Sequence, residues 1–173
     1  RWGGPTRMKS RGEGESKGEY VFIRDFVLDD TEAIVRLYVE TVRRVNSRDY
    51  APEQIAVWAP DDIDVEEWRD RLENLYTYVA EMDGKIVGFI DLQPRGCIDC
   101  IYCHAEHQGI GIGSALLARC EKHAKAMGLR RLFTEASITA RPFLENHGFT
   151  VCAEQQVTRN GVRFINYLME KRI

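Results

Sequence analysis

The sequence has no apolar run approaching the roughly 20 consecutive residues that a bilayer-spanning helix needs, so no membrane partner is expected. It has no block of basic residues. Its 24 Lys+Arg stand against 27 Asp+Glu, a formal net charge of −3. A surface that tracks a phosphate backbone, and with it a nucleic-acid partner, is therefore not expected. The first twenty residues lack the apolar core of a secretory signal. The five cysteines are odd in number, and their spacing does not suggest a disulfide framework. The expected compartment is reducing, hence cytoplasmic. There is no internal repeat and no interior linker.

What remains suits one globular domain. The 173 residues are 44% hydrophobic and 29% charged, ordinary for a soluble chain with a full core. Residues 1–18, RWGGPTRMKSRGEGESKG, carry too little apolar surface to offset ordering entropy and are expected to form a disordered tail. A single domain is expected over 19–173. YVFIRDF (20–26) alternates as a strand. Asp29 and Glu32 have capping-box spacing, and Ile34, Leu37, Tyr38, Thr41 and Val45 then recur at helical spacing to about Asn46. Short helices are expected after Pro52 and over 64–74. LYTYVAEM and KIVGFIDLQ flank Asp83-Gly84, a hairpin signal, and a last hairpin turns at Asn160-Gly161. A glycine loop runs into an amphipathic helix within 107–128, lined by Leu116, Leu117, Cys120, Ala124 and Met127. A strand over 129–137 and a short helix at Pro142 follow. This order predicts an α+β (mixed α/β) sheet with helices on both faces.

Two stretches carry chemistry. Gly96–His104, GCIDCIYCH, sets Cys97, Cys100 and Cys103 three residues apart. If the stretch is one strand, Cys97 and Cys103 share a face and Cys100 takes the other, so the three thiols do not converge on a metal. No second CxxC completes a zinc site. No metal ligand is assigned, and thiols packed in a strand are the plain alternative. The other stretch is Gln108-Gly109-Ile110-Gly111-Ile112-Gly113-Ser114. Three alternating glycines leave backbone N–H groups uncovered, and the helix that follows aims its positive end at the loop. The Walker lysine is absent, and the spacing is GxGxG rather than GxGxxG. The residues alone leave an anion site and a plain glycine-rich turn both open.

Gln108–Gly113 resembles Q/R-x-x-G-x-G, the acyl-CoA pyrophosphate loop of the GNAT (Gcn5-related) N-acetyltransferases. IYCHAEHQGIGIGSALL resembles that family's strand–loop–helix, and ARPFLENHGF resembles its A-x-x-F-Y-E-x-x-G-F. SRDYAPEQIAVWAP resembles the acceptor-side segment of YafP-like acetyltransferases. The resemblance runs from about Phe22 to Met169. It implies a GNAT-like fold with a mostly antiparallel, splayed central sheet. It also implies acetyl-CoA as co-substrate and an unidentified small-molecule or peptide amine as acceptor, and it allows a homodimer.

By the same resemblance, Gln108, Gly109, Ile110, Gly111, Ile112, Gly113 and Ser114 hold the pyrophosphate. Backbone groups of Ile101, Tyr102 and Cys103 meet the pantetheine arm, where one N–H polarises the thioester carbonyl. Alkyl amines are mostly protonated at neutral pH, with a pKa like that of Lys at about 10.4, so a base is needed. Asp99 is the first candidate, followed by Asp91 and Glu135. Arg48, Asp49, Tyr50 and Trp58 are expected on the acceptor side. The family's acid tyrosine is Leu144 here, and its asparagine is Ser137. The vacant tyrosine leaves a non-catalytic acyl-CoA-binding module as the alternative, with a thiol-based metal or redox sensor behind it.

Overall fold

Asp83 and Gly84 sit in the left-handed backbone region, with φ of 50° and 74°. They fold one apolar ribbon back on itself, as a tight hairpin turn requires. The ribbon becomes strands at the centre of a sheet. The computed structural model describes residues 6–7 and 20–173. The strands are β1 (Thr6–Arg7), β2 (Tyr20–Asp25), β3 (Tyr76–Met82), β4 (Lys85–Leu92), β5 (Ile101–Cys103), β6 (Arg131–Ser137), β7 (Thr150–Arg159) and β8 (Val162–Arg172). The helices are α1 (Thr31–Arg44), α2 (Pro52–Trp58), α3 (Val65–Glu73), α4 (Ile112–Ala126) and α5 (Arg141–Asn146). Most of the expected tail lies outside the described residues. Thr6–Arg7 within it pair antiparallel with Tyr20 and Val21.

The strands form two sheets. One has the order β1-β2-β3-β4-β5 and the other β6-β8-β7. Every ladder is antiparallel. Helix α4 covers one face of the first sheet, where Leu116, Leu117 and Cys120 pack with Tyr78, Ala80 and Ile90. Helices α1 and α3 cover the other, where Ile34, Leu37 and Leu72 pack with Val79 and Phe89. Strand β4 is thus buried on both faces, which explains its continuous apolar reading. Each such Leu, Ile or Phe contributes roughly 1.5–3 kcal/mol when fully buried.

A bulge in β4 near Val87 shifts the β3–β4 register. It leaves Gly88 beneath α4, where a Cβ would lie 2.9 Å from Ile112 Cγ2 and 3.1 Å from the Tyr102 carbonyl. Glycine is what allows the helix to approach this closely.

Two local expectations need correction. The Asp29/Glu32 capping box does not form. Asp30 instead accepts the Val27 N–H (2.9 Å) and a two-bond clasp from Arg24 (2.8 and 2.9 Å). Nor is GCIDCIYCH one strand. Only Ile101–Cys103 joins the ladder, because the Asp91 carboxylate captures the N–H groups of Asp99 (3.0 Å) and Cys100 (2.9 Å). Cys103 packs on the α4 side and Cys100 on the α1 side, while Cys97 forms a parallel bridge to Phe133. The alternation argument therefore holds across Cys100 and Cys103 but does not extend to Cys97.

Candidate active site

The two sheets touch at one end and part at the other. Ile98 N–H donates to the Phe133 carbonyl (2.9 Å), and Phe133 N–H donates to the Gly96 carbonyl (3.0 Å). Past that contact β5 follows β4 while β6 follows β8. A cavity of about 400 Å³ opens between them, lined by Ile101 and Cys103 on one side and by Thr134, Glu135 and Ser137 on the other.

The ladder fixes which backbone groups face the gap. Asp91 N–H donates to the Cys100 carbonyl (3.1 Å), and His104 N–H donates to the Val87 carbonyl (2.8 Å). Bonded and non-bonded pairs alternate along an antiparallel ladder. Tyr102 therefore forms a bonded pair with Phe89. Ile101 and Cys103 sit in non-bonded pairs with Ile90 and Gly88. Their N–H and C=O groups point away from β4, into the cavity side. The Cys103 carbonyl is taken by Thr41 Oγ1 (3.0 Å) and Gln108 Nε2 (2.6 Å). Among the described residues, no acceptor is bonded to the N–H groups of Ile101 or Cys103.

The glycine loop adjoins this edge. After a 3-10 turn over Ala105–His107, Gln108 is extended, and Gly109 and Gly111 take φ of 72° and 96°. Helix α4 starts at Ile112, inside the glycine run rather than after it. The first backbone donor with an acceptor is Ala115, bonded to the Gly111 carbonyl (3.1 Å). The N–H groups before it, from Gly109 to Ser114, bond no acceptor among the described residues. Their partial positive charge sums with the helix dipole, and this is an anion cradle. The side chain of Ile112 is buried in the core, so only its backbone serves the loop. Ser114 Oγ lies 2.8 Å from His147 Nε2. At Gly113 a Cβ would meet the Phe143 ring at 3.0 Å.

The three candidate carboxylates part company. Asp91 is fully buried and does not line the cavity. Burial drives its carboxyl upward, opposed by Arg71 and the Cys100 N–H. Asp99 is half-exposed at the cavity wall, and Arg71 Nη2 binds it and Asp91, each at 2.7 Å. Burial works against the charged form of Arg71; Cys100, Asp91 and Asp99 outweigh it, so the guanidinium stays protonated. Glu135 lines the cavity and has no ion-pair partner among the described residues. Burial pushes the Cys103 thiol up to about 12 and holds the Cys100 thiol well above its usual range.

The acceptor-side expectations divide similarly. Trp58 lines the cavity, but Arg48 and Asp49 do not. Asp49 accepts a bond from Thr139 Oγ1 (2.8 Å). Tyr50 is buried; its hydroxyl donates to the Ile165 carbonyl (2.9 Å) and accepts the Ile138 N–H (2.9 Å), tying the second sheet to the loop before α2. Leu144 is buried at the cavity floor, and Ser137 Oγ accepts the Ala140 N–H (3.0 Å). Tyr38, Trp68, Arg71 and Arg159 complete the walls and were not singled out from sequence. Tyr38 enters the sequence reading only as a position at helical spacing. Arg71 carried no local signal, because its partners are 20 and 28 residues away.

A family model for the acetyltransferase (GNAT) domain matches residues 46–171. The chain belongs to the GNAT acetyltransferase family and is an N-acetyltransferase of that family. It is 32% identical over 147 residues to the uncharacterized N-acetyltransferase YafP of Escherichia coli (strain K12), covering 85% of this chain and 93% of that protein. Among solved structures, the GCN5-related N-acetyltransferase (Aminotransferase, Class-II) from Rhodopseudomonas palustris matches with a TM-score of 0.84 at 28% identity. It covers 87% of this chain and 94% of that one. PaiA N-acetyltransferase from Thermoplasma acidophilum, solved with coenzyme A, shares the fold with a TM-score of 0.73 at 21% identity, over 88% of this chain and 99% of that one. The expected GNAT-like fold and family are borne out.

Proposed function

We propose that this protein transfers the acetyl group of acetyl-CoA to the primary amine of a small molecule or peptide by direct attack. The observation that carries the reading is the continuity of two unbonded donor sets. The unbonded N–H groups from Gly109 to Ser114 belong to a loop that reaches the cavity at Gln108 and Gly113, and those of Ile101 and Cys103 belong to the strand that lines the same cavity. A ligand with a pyrophosphate at one end and an amide-rich arm at the other fits that run of donors. Acetyl-CoA would supply the activated acyl group. The chain's residues would hold its phosphates on the loop, pair its arm along β5, and aim an N–H at the carbonyl oxygen.

In the transfer, the amine nitrogen bonds to the acetyl carbon as the carbon–sulfur bond breaks. The amine proton goes to a base, and CoA leaves as a thiolate that is protonated by solvent. Glu135 is best suited as the base, because it lines the cleft unpaired, whereas Asp99 is engaged by Arg71 and Asp91 is buried away from the cavity. Leu144 offers no proton to the thiolate, but a thiol with a pKa near 8.5 is a workable leaving group. The high Cys103 pKa disfavours a covalent relay through that thiol. Among the described residues no helix is long and apolar enough to cross a membrane, and we place the protein in the cytoplasm. A homodimer is compatible with this reading.

Calorimetric titration with acetyl-CoA and with CoA tests the donor site. Micromolar binding that Gly111→Glu abolishes, followed by amine-dependent release of free thiol, is the expected result. Binding without turnover on any amine would leave the non-catalytic module. No binding by folded protein would overturn the proposal.

A further inference from the structure

Two arginines line the cavity, and they differ in one respect. Arg71 is neutralised by Asp91 and Asp99 at 2.7 Å each. Arg159, the last residue of β7, has no ion-pair partner among the described residues. Its side chain lines the main cavity and also an adjoining recess beside Tyr50, Trp58 and Phe164. That recess contains none of the glycine-loop residues, whereas the main cavity is lined by Gln108 and Gly113. Its charge opposes the upward shift that burial gives the phenols of Tyr38, Tyr50 and Tyr102.

Glu135 lines the same cavity and the same recess, and it is not ion-paired to Arg159. The site thus presents one unmatched cation and one unmatched anion flanking an aromatic surface. The tilted Tyr38–Trp68 pair, with ring centroids 4.6 Å apart, and the edge-on Tyr50–Trp58 pair at 5.0 Å supply that surface. A simple alkyl amine would satisfy Glu135 and leave Arg159 unmatched. An amine that also carries a carboxylate satisfies both. A guanidinium is suited to binding a carboxylate through two parallel hydrogen bonds.

We propose that Arg159 determines acceptor specificity: it takes the carboxylate of an amino acid with an aromatic side chain, whose amine enters the cleft between β5 and β6 beside Glu135. The inference rests on the acetyl-transfer reading. It adds the substrate class and a residue that selects it.

Matched probes that differ only in the carboxylate test it: phenylalanine against phenethylamine, and tryptophan against tryptamine. Each is measured by acetyl-CoA-dependent thiol release and, separately, by calorimetric titration. Wild type, Arg159→Met and Arg159→Lys are compared. The expected result is preference for the amino acids in the wild type. Arg159→Met should lower kcat/KM for the amino acids about ten- to hundredfold, mainly through KM, the size expected for a lost charge-assisted bond. The decarboxylated partners should change little, and Arg159→Lys should fall between.

Amino-acid binding that depends on Arg159 without any turnover would support the specificity assignment and overturn the transfer reading. Turnover of amines with no carboxylate preference, or a preference that survives Arg159→Met, would overturn the specificity assignment and leave transfer standing. Neither binding nor turnover with any probe would overturn it as well.

Discussion

One nitrogen of Arg71 bonds two carboxylates that lie eight residues apart in sequence, Asp91 and Asp99, each at 2.7 Å. The same guanidinium sits 5.1 Å from the centre of the Trp68 ring. Asp91 in turn holds the chain where β5 is interrupted. Removing the cation leaves a fully buried carboxylate uncompensated. Arg71→Met should therefore cost about 3–5 kcal/mol. Asp99 is half-exposed, and Asp99→Ala should cost about 1 kcal/mol or less. Urea denaturation of the two variants beside wild type measures the asymmetry; equal losses would show that Asp91 does not depend on Arg71.

The carboxylates also separate kinetically. Glu135→Gln should lower kcat by about 10²-fold or more, the range for loss of a general base. Asp99→Asn should lower it less than about tenfold, because Arg71 already holds that group. A larger loss for Asp99→Asn than for Glu135→Gln would move the base to Asp99.

Gly88 lies where β4, β5 and α4 meet. A methyl group there would press on Ile112 Cγ2, on Leu116 Cδ1 at 3.0 Å and on the Tyr102 carbonyl. Side chains can yield, but the backbone oxygen cannot move without disturbing β5. Gly88→Ala should destabilise by about 1–3 kcal/mol and weaken acetyl-CoA binding, since it displaces the loop end of α4. Calorimetry paired with a melting curve checks both; a destabilised variant with unchanged affinity would separate the packing from the site.

Cysteine reactivity should be uneven. Burial pushes Cys97 up to about 11, Cys103 and Cys120 up to about 12, and Cys100 well above its usual range. At pH 8 these thiols are almost wholly protonated, and the thiolate is the nucleophile. Cys152 is exposed. Iodoacetamide on native protein, read by peptide mass, should label Cys152 first. Rapid labelling of Cys100 or Cys103 would revive a redox role for the cluster.

The Asp30–Arg24 clasp makes stability depend on acid. Burial raises the Asp30 carboxyl, but the Arg24 bonds and the Val27 N–H outweigh it, so its pKa lies below the usual 3.8. A carboxylate depressed in the folded state stabilises above its unfolded pKa, and that contribution is lost as pH falls through the folded value. Asp30→Asn should cost about 1.5–3 kcal/mol at neutral pH, and the difference from wild type should shrink below pH 3.8. A gap that stays constant down to acid pH would count against the clasp.

The sequence was most legible where geometry is local. The Asp83-Gly84 and Asn160-Gly161 turns both place φ > 0 at each residue, and the glycine loop opens α4 as its spacing implied. What escaped were features made by partners far apart in the chain. The break at Asp99–Cys100 depends on a side chain eight and nine residues earlier. Strand alternation assumes backbone acceptors and has no means of seeing a carboxylate that replaces one. Arg48 and Asp49 looked like acceptor contacts because they are charged and lie beside Tyr50. In the fold Asp49 does not line the cavity but accepts a bond from Thr139, which does, and Arg159, 111 residues beyond Arg48 in the numbering, lines the cavity with no ion-pair partner among the described residues.

The junction at Phe133 has a mechanical consequence. Two backbone bonds, to Gly96 and from Ile98, stitch the sheets at one end, and the divergence beyond them removes no ladder bond. A change in the angle between the sheets would therefore bend a short seam rather than break a β-ladder. Resistance to such a change would come instead from the bonds that tie Tyr50 to Ile138 and Ile165.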